Sequence, residues 1–259
     1  MWDTVDVIRR DHYAIITLNR PDALNALSTQ MARDMVDVMA SLAEERDVWA
    51  AALTGAGDRA FCVGADLKER KDMTKDQMTA QRALFVKAFG AVSQFPKPLI
   101  AAVNGFAMGG GFEFALCCDM IVAANEAFLG LPEVGLGIIP GGGGTQNLPR
   151  IIGRNKAKEL IFTGRKISGE TAYEWGIANK AAPREELMTV TEALLKEITK
   201  NAPLALQQAK RCVEYGLETD LRTGLAYEAE AYNKCLYSED RDEGLKAFNE
   251  KRKPNYQNR

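Results

Sequence analysis

At 259 residues, with 46% hydrophobic and 26% charged residues, the chain suits one large soluble domain or one domain with a small appendage. Its formal net charge of −2 leaves no global basic field to recruit nucleic acid or anionic lipid, and no apolar run approaches the roughly 18 residues of a membrane span. A single histidine, His12, excludes a histidine-rich metal site and leaves a Ser-His-Asp or Cys-His mechanism almost without a base. The five cysteines (Cys62, Cys117, Cys118, Cys212, Cys235) lack metal-ligand spacing and read as buried thiols of a reduced compartment. The first residues lack the basic region and apolar core of a signal peptide, so the expected location is the cytoplasm.

In chain order, residues 2–9 and 13–19 read as paired strands turning at Arg10-Asp11, with Ala14 to Leu18 rich in β-formers. A helix is expected over 28–45, with Ser28 as N-cap and apolar spacing at Met31, Met35, Val38 and Met39. Ala50 to Gly55 reads as a buried strand, residues 61–67 as a turn, and 78–94 as a helix after a polar stretch. The cycle then repeats. A strand at 98–103 leads through Asn104-Gly105 to a helix over about 110–118, and a strand at 119–124 leads to a turn at 130–133 and a helix at 144–150. Helices at 154–162 and 169–175 and a strand near 177–181 follow, and from about 184 the chain is helical, charged and strand-free. Strand–strand–helix units with a helical tail define an α/β core.

The chemistry concentrates on two glutamates. Glu113 follows Gly109-Gly110-Gly111-Phe112, and Glu133 lies in Leu131-Pro132-Glu133-Val134, shortly before the run Gly141 to Gly144. Both sit in apolar stretches, where an unpaired carboxylate is costly and tends to hold its proton. Two such groups can divide acid and base work, and glycine turns with exposed backbone N–H groups suit a nearby oxyanion. The glycine run is followed by no Lys-Ser or Lys-Thr, so it is not a phosphate-binding P-loop. Gly105 to Gly110 has no ribose-binding acid after it, so it is not a dinucleotide fingerprint.

Five segments together resemble the crotonase (enoyl-CoA hydratase/isomerase) superfamily nearly end to end. They are Leu18-Asn19-Arg20-Pro21 with Asn25-Ala26-Leu27, Phe61 to Glu69, Gly105 to Asp119, Pro132-Glu133, and Ile139 to Gln146. The resemblance implies an α/β spiral of ββα units over residues 1–183, closed by a C-terminal helical region over 184–259 that makes homotrimers, often paired into homohexamers. It implies hydration of 2-trans-enoyl-CoA to 3-hydroxyacyl-CoA, in fatty-acid β-oxidation or branched-chain amino-acid degradation. The CoA thioester is the substrate and no further cofactor, metal, nucleic acid or membrane is expected. By the same resemblance Glu113 deprotonates water, Glu133 delivers a proton to C2, and the Gly141 N–H helps hold the water. Ala65 and Gly110 match the two oxyanion donors. Val63, Ala65, Asp66, Leu67 and Lys68, with Ala23 and Ala26 of the early loop, match CoA contacts, and Phe248 and Lys251 match residues reaching the CoA of an adjacent subunit.

Family isomerases keep only the acid matching Glu133, so the presence of both favours hydration over Δ3–Δ2 isomerisation. Gly64 to Arg70, Ala157 to Ile161 and Glu239 to Phe248 resemble 3-methylglutaconyl-CoA hydratases. One branch of that group binds RNA through a basic helix, but residues 78–97 hold only Arg82, Lys87 and Lys97, which disfavours an RNA-binding homologue. A dicarboxylyl substrate would want a cation at the end of the acyl pocket, and Arg70, Lys71 and Arg82 lie in the segment that shapes it.

Overall fold

The computed structural model describes residues 2–259. The chain opens with an antiparallel hairpin of β1 (Val5–Arg10) and β2 (Tyr13–Leu18), followed by helix α1 (Thr29–Glu44). Ser28 caps that helix, its Oγ accepting from Met31 N at 3.1 Å. The stripe Met31, Met35, Val38, Met39 and Leu42 is buried, each side chain contributing roughly 1.5–3 kcal/mol by leaving water.

Three strand–strand–helix units come next. The first is β3 (Ala50–Gly55) and β4 (Ala60–Cys62), followed by the short α2 (Leu67–Arg70) and the long α3 (Lys75–Ser93). The second is β5 (Leu99–Val103), β6 (Phe106–Met108) and α4 (Gly110–Leu116); the third is β7 (Met120–Ala124), β8 (Phe128–Gly130) and α5 (Gly144–Ile152). The first strand of each unit joins one sheet and the second joins another. With α6 (Arg154–Thr163), β9 (Lys166–Ser168), α7 (Gly169–Glu174) and β10 (Lys180–Ala182), the sheets have the orders β1-β2-β3-β5-β7-β10 and β4-β6-β8-β9. The parallel strands of the larger sheet are rich in alanine and fully buried (Ala50 to Ala52, Ala101, Ala102, Ala123, Ala124), as expected of strands covered on both faces.

Where the chain crosses between sheets, buried asparagines tie successive turns together. Asn25 Nδ2 donates to the carbonyls of Ala56 (3.0 Å) and Ala60 (2.8 Å), and Asn104 Nδ2 to those of Gly55 (2.9 Å) and Gly57 (2.8 Å). These side chains satisfy backbone groups that have no ladder partner at a corner. The ββα spiral expected from the sequence is the observed architecture.

Three details differ from the sequence-based expectations. The turn expected at 61–67 begins as β4, and β6, β8 and β9 had no counterpart, because strands of three residues are too short to show a period of two. The helix expected to start at 78 starts at Lys75, where Thr74 and Gln77 form a reciprocal capping box. Only Cys62 of the five free cysteines is buried, the others being half-buried; burial pushes the Cys62 thiol up to about 12.

Beyond residue 184, α8 (Leu187–Ile198) lies against β3, β5 and β7 with Leu187, Thr191 and Leu195 buried. The strand-free part therefore begins as a cover for the core. The helices that stand off it are α9 (Pro203–Gly216) and α10 (Leu221–Leu236), packed on each other, and α11 (Glu239–Asn249). The Lys210 ammonium anchors α9 to Asp119 (2.8 Å) and to the Lys97 carbonyl (3.2 Å). The last residues return to the core through Asn258, which exchanges hydrogen bonds with Arg46.

Candidate active site

The two expected turns meet in space. Gly64, at φ +84°, brings the end of β4 against the start of α4, where a Cβ on Gly64 would lie 3.1 Å from Gly110 N. Leu27 pairs with this segment on its other side, its N–H donating to Gly64 O (2.8 Å) and its carbonyl accepting from Asp66 N (3.0 Å). That pairing turns the Ala65 N–H away from Leu27. Gly110 is the first residue of α4, so its N–H has no acceptor within the helix. Neither N–H is given to an acceptor among the described residues. Two adjacent unused donors, one at a helix N-terminus, can hold a developing oxyanion.

Both glutamates line the same cleft, of about 180 Å³, beside Val63, Gly64, Ala65, Gly109, Gly110, Gly141 and Gly142. Glu113 projects from α4 and is buried; its Oε1 accepts from Gly142 N (2.6 Å) and Gly144 N (2.8 Å). One carboxylate oxygen is thus fixed by two backbone donors, and the other, without a partner among the described residues, is left for the cleft. Glu133 begins the short 3₁₀ turn Glu133–Leu136 and is also buried. Its Oε2 is shielded from solvent and has no hydrogen-bond partner among the described residues. Burial, joined by the repulsion of Glu113, pushes the Glu133 carboxyl up to about 7. The two acids therefore sit in different settings, one ordered by donors and one desolvated, the condition under which a pair divides acid and base roles.

Gly109, facing Glu133, has φ +53° and ψ −125°, a conformation that L side chains rarely adopt. A Cβ there would come 3.2 Å from Glu133 Oε1. This glycine sets the close approach between the oxyanion turn and the second acid.

The other residues singled out by sequence are placed as follows. Val63 and Leu67 line the cleft with Ala65, while the Asp66 side chain caps α2 through Lys68 N and Glu69 N and pairs with Arg20 (2.9 Å). Lys68 is exposed, and Lys68, Ala23 and Ala26 are not among the residues lining the cleft; Ala26 is buried, on a loop that Arg20 ties down through the Ala26 carbonyl. Gly141 lines the cleft, but its neighbours Gly142 and Gly144 supply the donors to Glu113. Phe248, 80% exposed, and Lys251 are not among the residues lining their own chain's cleft. Lys97, counted among the cations of 78–97, is buried, its ammonium donating to the carbonyls of Leu42 (2.6 Å) and Glu45 (2.6 Å) at the end of α1. His12 is exposed and stacks on Trp49, ring centroids 3.7 Å apart.

Sequence reasoning did not find Gly142 and Gly144, nor the apolar wall of Phe85, Phe89, Leu136, Ile138 and Ile139. The run Gly141 to Gly144 was the signal for the first two, but which N–H points inward is a matter of backbone path. Among the described residues no group of three or more His, Cys, Asp or Glu side chains could hold a metal.

The sequence pattern of the enoyl-CoA hydratase/isomerase family matches residues 10–259. A short-chain-enoyl-CoA hydratase of Clostridium acetobutylicum is 42% identical over 240 residues, covering 93% of this chain and 92% of that one. A crotonyl-CoA hydratase of Syntrophomonas wolfei is 37% identical over 255 residues, covering 98% of each. The crystal structure of an enoyl-CoA hydratase from Bacillus anthracis superposes with a TM-score of 0.97 at 42% identity, covering 99% of this chain and all of the other. The chain belongs to the enoyl-CoA hydratase/isomerase (crotonase) family.

Proposed function

We propose that the cleft adds water across the 2,3 double bond of a 2-trans-enoyl-CoA, giving 3-hydroxyacyl-CoA. The observation that carries this reading is the pair Glu113 and Glu133, in unlike settings, beside the unused N–H groups of Ala65 and Gly110. With the thioester oxygen between those donors, Glu113 takes a proton from water as the water oxygen bonds to C3. The electron pair of the double bond moves toward the thioester as an enolate, which the two donors stabilise. Glu133 then gives its proton to C2. A carboxyl held near 7 can carry that proton at neutral pH. Isomerisation by proton shuttling would need one acid, and a second ordered carboxylate favours activation of water.

Val63, Ala65, Asp66, Leu67, Lys68, Ala23 and Ala26 flank the CoA side of this cleft in the reading, and Gly141 stands where the water would rest. The exposed apolar residues Leu217, Leu221, Leu225, Tyr232 and Tyr237 on and beside α10 support a homotrimer or homohexamer. In that assembly Phe248 and Lys251 would reach a neighbour's CoA. The test is the loss of conjugated thioester absorbance when the purified protein is mixed with crotonyl-CoA. No loss at micromolar enzyme would overturn the hydratase reading.

A further inference from the structure

Two arginines, Arg70 and Arg82, line the same cleft as the glutamates. Arg82, from α3, donates through Nη2 to the Gly141 carbonyl at 2.5 Å. Arg70, at the end of α2, is half-buried; its Nε donates to Gln81 Oε1 at 2.7 Å and its guanidinium lies over the Phe85 ring, 5.1 Å from the centroid. Gln81 is itself buried and held by Thr29 and Glu69, so Arg70 is aimed by a fixed amide. Neither guanidinium forms an ion pair with a carboxylate among the described residues. Among the described residues the Nη groups of Arg70 and the Nε and Nη1 of Arg82 have no acceptor.

Arg70 is half-buried and Arg82 is exposed, so water serves their free donors until a ligand fills the cleft. Phe85, Phe89, Leu136, Ile138 and Ile139 line the cleft around the two cations. An acyl chain that displaced water from this space would leave their donors unpaired if it were apolar. Burial, followed by the adjacent Arg82 charge, holds Arg70 below the usual guanidinium range, so the two charges do sense each other. Their position along the substrate follows from the loop. Gly142 and Gly144 hold Glu113, which faces C3 in the hydratase reading, and Arg82 grips the adjoining Gly141. In that reading an acyl chain running on past C3 heads toward the loop that Arg82 grips.

We propose that Arg70 and Arg82 form an acyl-carboxylate subsite, so that the substrate class is a 2-enoyl-CoA whose acyl chain ends in a second carboxylate. The proposal rests on the hydratase reading for its reaction but not for its binding. Paired guanidinium groups can meet a carboxylate with two parallel hydrogen bonds, which a neutral chain of equal length cannot offer.

The experiment compares glutaconyl-CoA with trans-2-hexenoyl-CoA, a neutral chain of similar size, and the saturated pair glutaryl-CoA and hexanoyl-CoA in direct binding. Wild type is expected to favour the carboxylated member of each pair. Arg70→Met and Arg82→Met should each lower that preference about 10–100-fold. A wild-type preference for the neutral member would overturn the proposal. So would an equal loss for both members in either variant together with weaker binding of free CoA, the pattern of arginines that grip CoA phosphates. If neither enoyl ester is hydrated, the hydratase reading fails, and the saturated pair still decides whether the cationic subsite exists.

Discussion

Replacing Glu133 by Gln removes one ionisable group from the cleft and keeps its shape, so its effect on stability is a direct reading of the desolvation seen in the structure. The Glu133 carboxyl is buried with Oε2 unpartnered, and its folded value of about 7 stands above the ordinary 4.5. At 1.36 kcal/mol per pH unit the gap amounts to about 3 kcal/mol. The sign follows from which state holds the proton. Below pH 4.5 both states are protonated and the acid carries no ionisation penalty. Between 4.5 and 7 the unfolded chain ionises while the folded one keeps its proton, so stability falls as pH rises; above 7 the full penalty is present. Glu133→Gln should therefore match wild type near pH 4.5 and exceed it by up to about 3 kcal/mol at pH 8.5. Urea unfolding of both proteins at several pH values and one protein concentration measures the difference. The same carboxyl predicts that kcat/KM for crotonyl-CoA declines on the alkaline side of about pH 7, as the acid loses the proton it must donate. A stability difference independent of pH, or a rate profile flat from pH 6 to 8, would refute the reasoning.

Glu113→Gln keeps an oxygen for Gly142 and Gly144 but removes the base, so hydration should fall by roughly 10²–10⁴-fold with CoA-ester binding retained, as steady-state rates and calorimetry will show. Gly109→Ala forces a side chain into φ +53° and against Glu133 Oε1, and should cost roughly 1–3 kcal/mol of stability and displace the acid; normal kcat in that variant would separate Gly109 from the placement of Glu133. Gly110→Pro deletes one oxyanion donor and should lower kcat by roughly 10²–10³-fold in a folded protein, checked by circular dichroism beside the assay. Truncation before Asp220 removes α10 and α11 with their exposed apolar residues, and light scattering should then show a smaller species that binds CoA less tightly.

The sequence by itself determined the elements with long local periodicity and the residue types of the site. The hairpin of β1 and β2, the Ser28-capped α1, the apolar β3 and the strand-free region after 184 each carry their signal within a few neighbouring residues. Glu113 and Glu133 stood out for the same reason, as acids within apolar flanks beside glycines. Only the tertiary structure decided what depends on contacts between distant segments. The three-residue strands β4, β6, β8 and β9 exist because each is paired by its neighbour in the smaller sheet, which a three-residue pattern cannot announce. The choice of Gly142 and Gly144 as donors to Glu113 spans 29 and 31 residues and depends on the path of the loop rather than on the glycine count. The same holds for Arg70 and Arg82, twelve positions apart on different helices, whose shared place in the cleft is set by Gln81 and Gly141. Side-chain chemistry is written locally, but a pKa, an oxyanion pair or a charge subsite is a property of what the fold brings within a few ångströms.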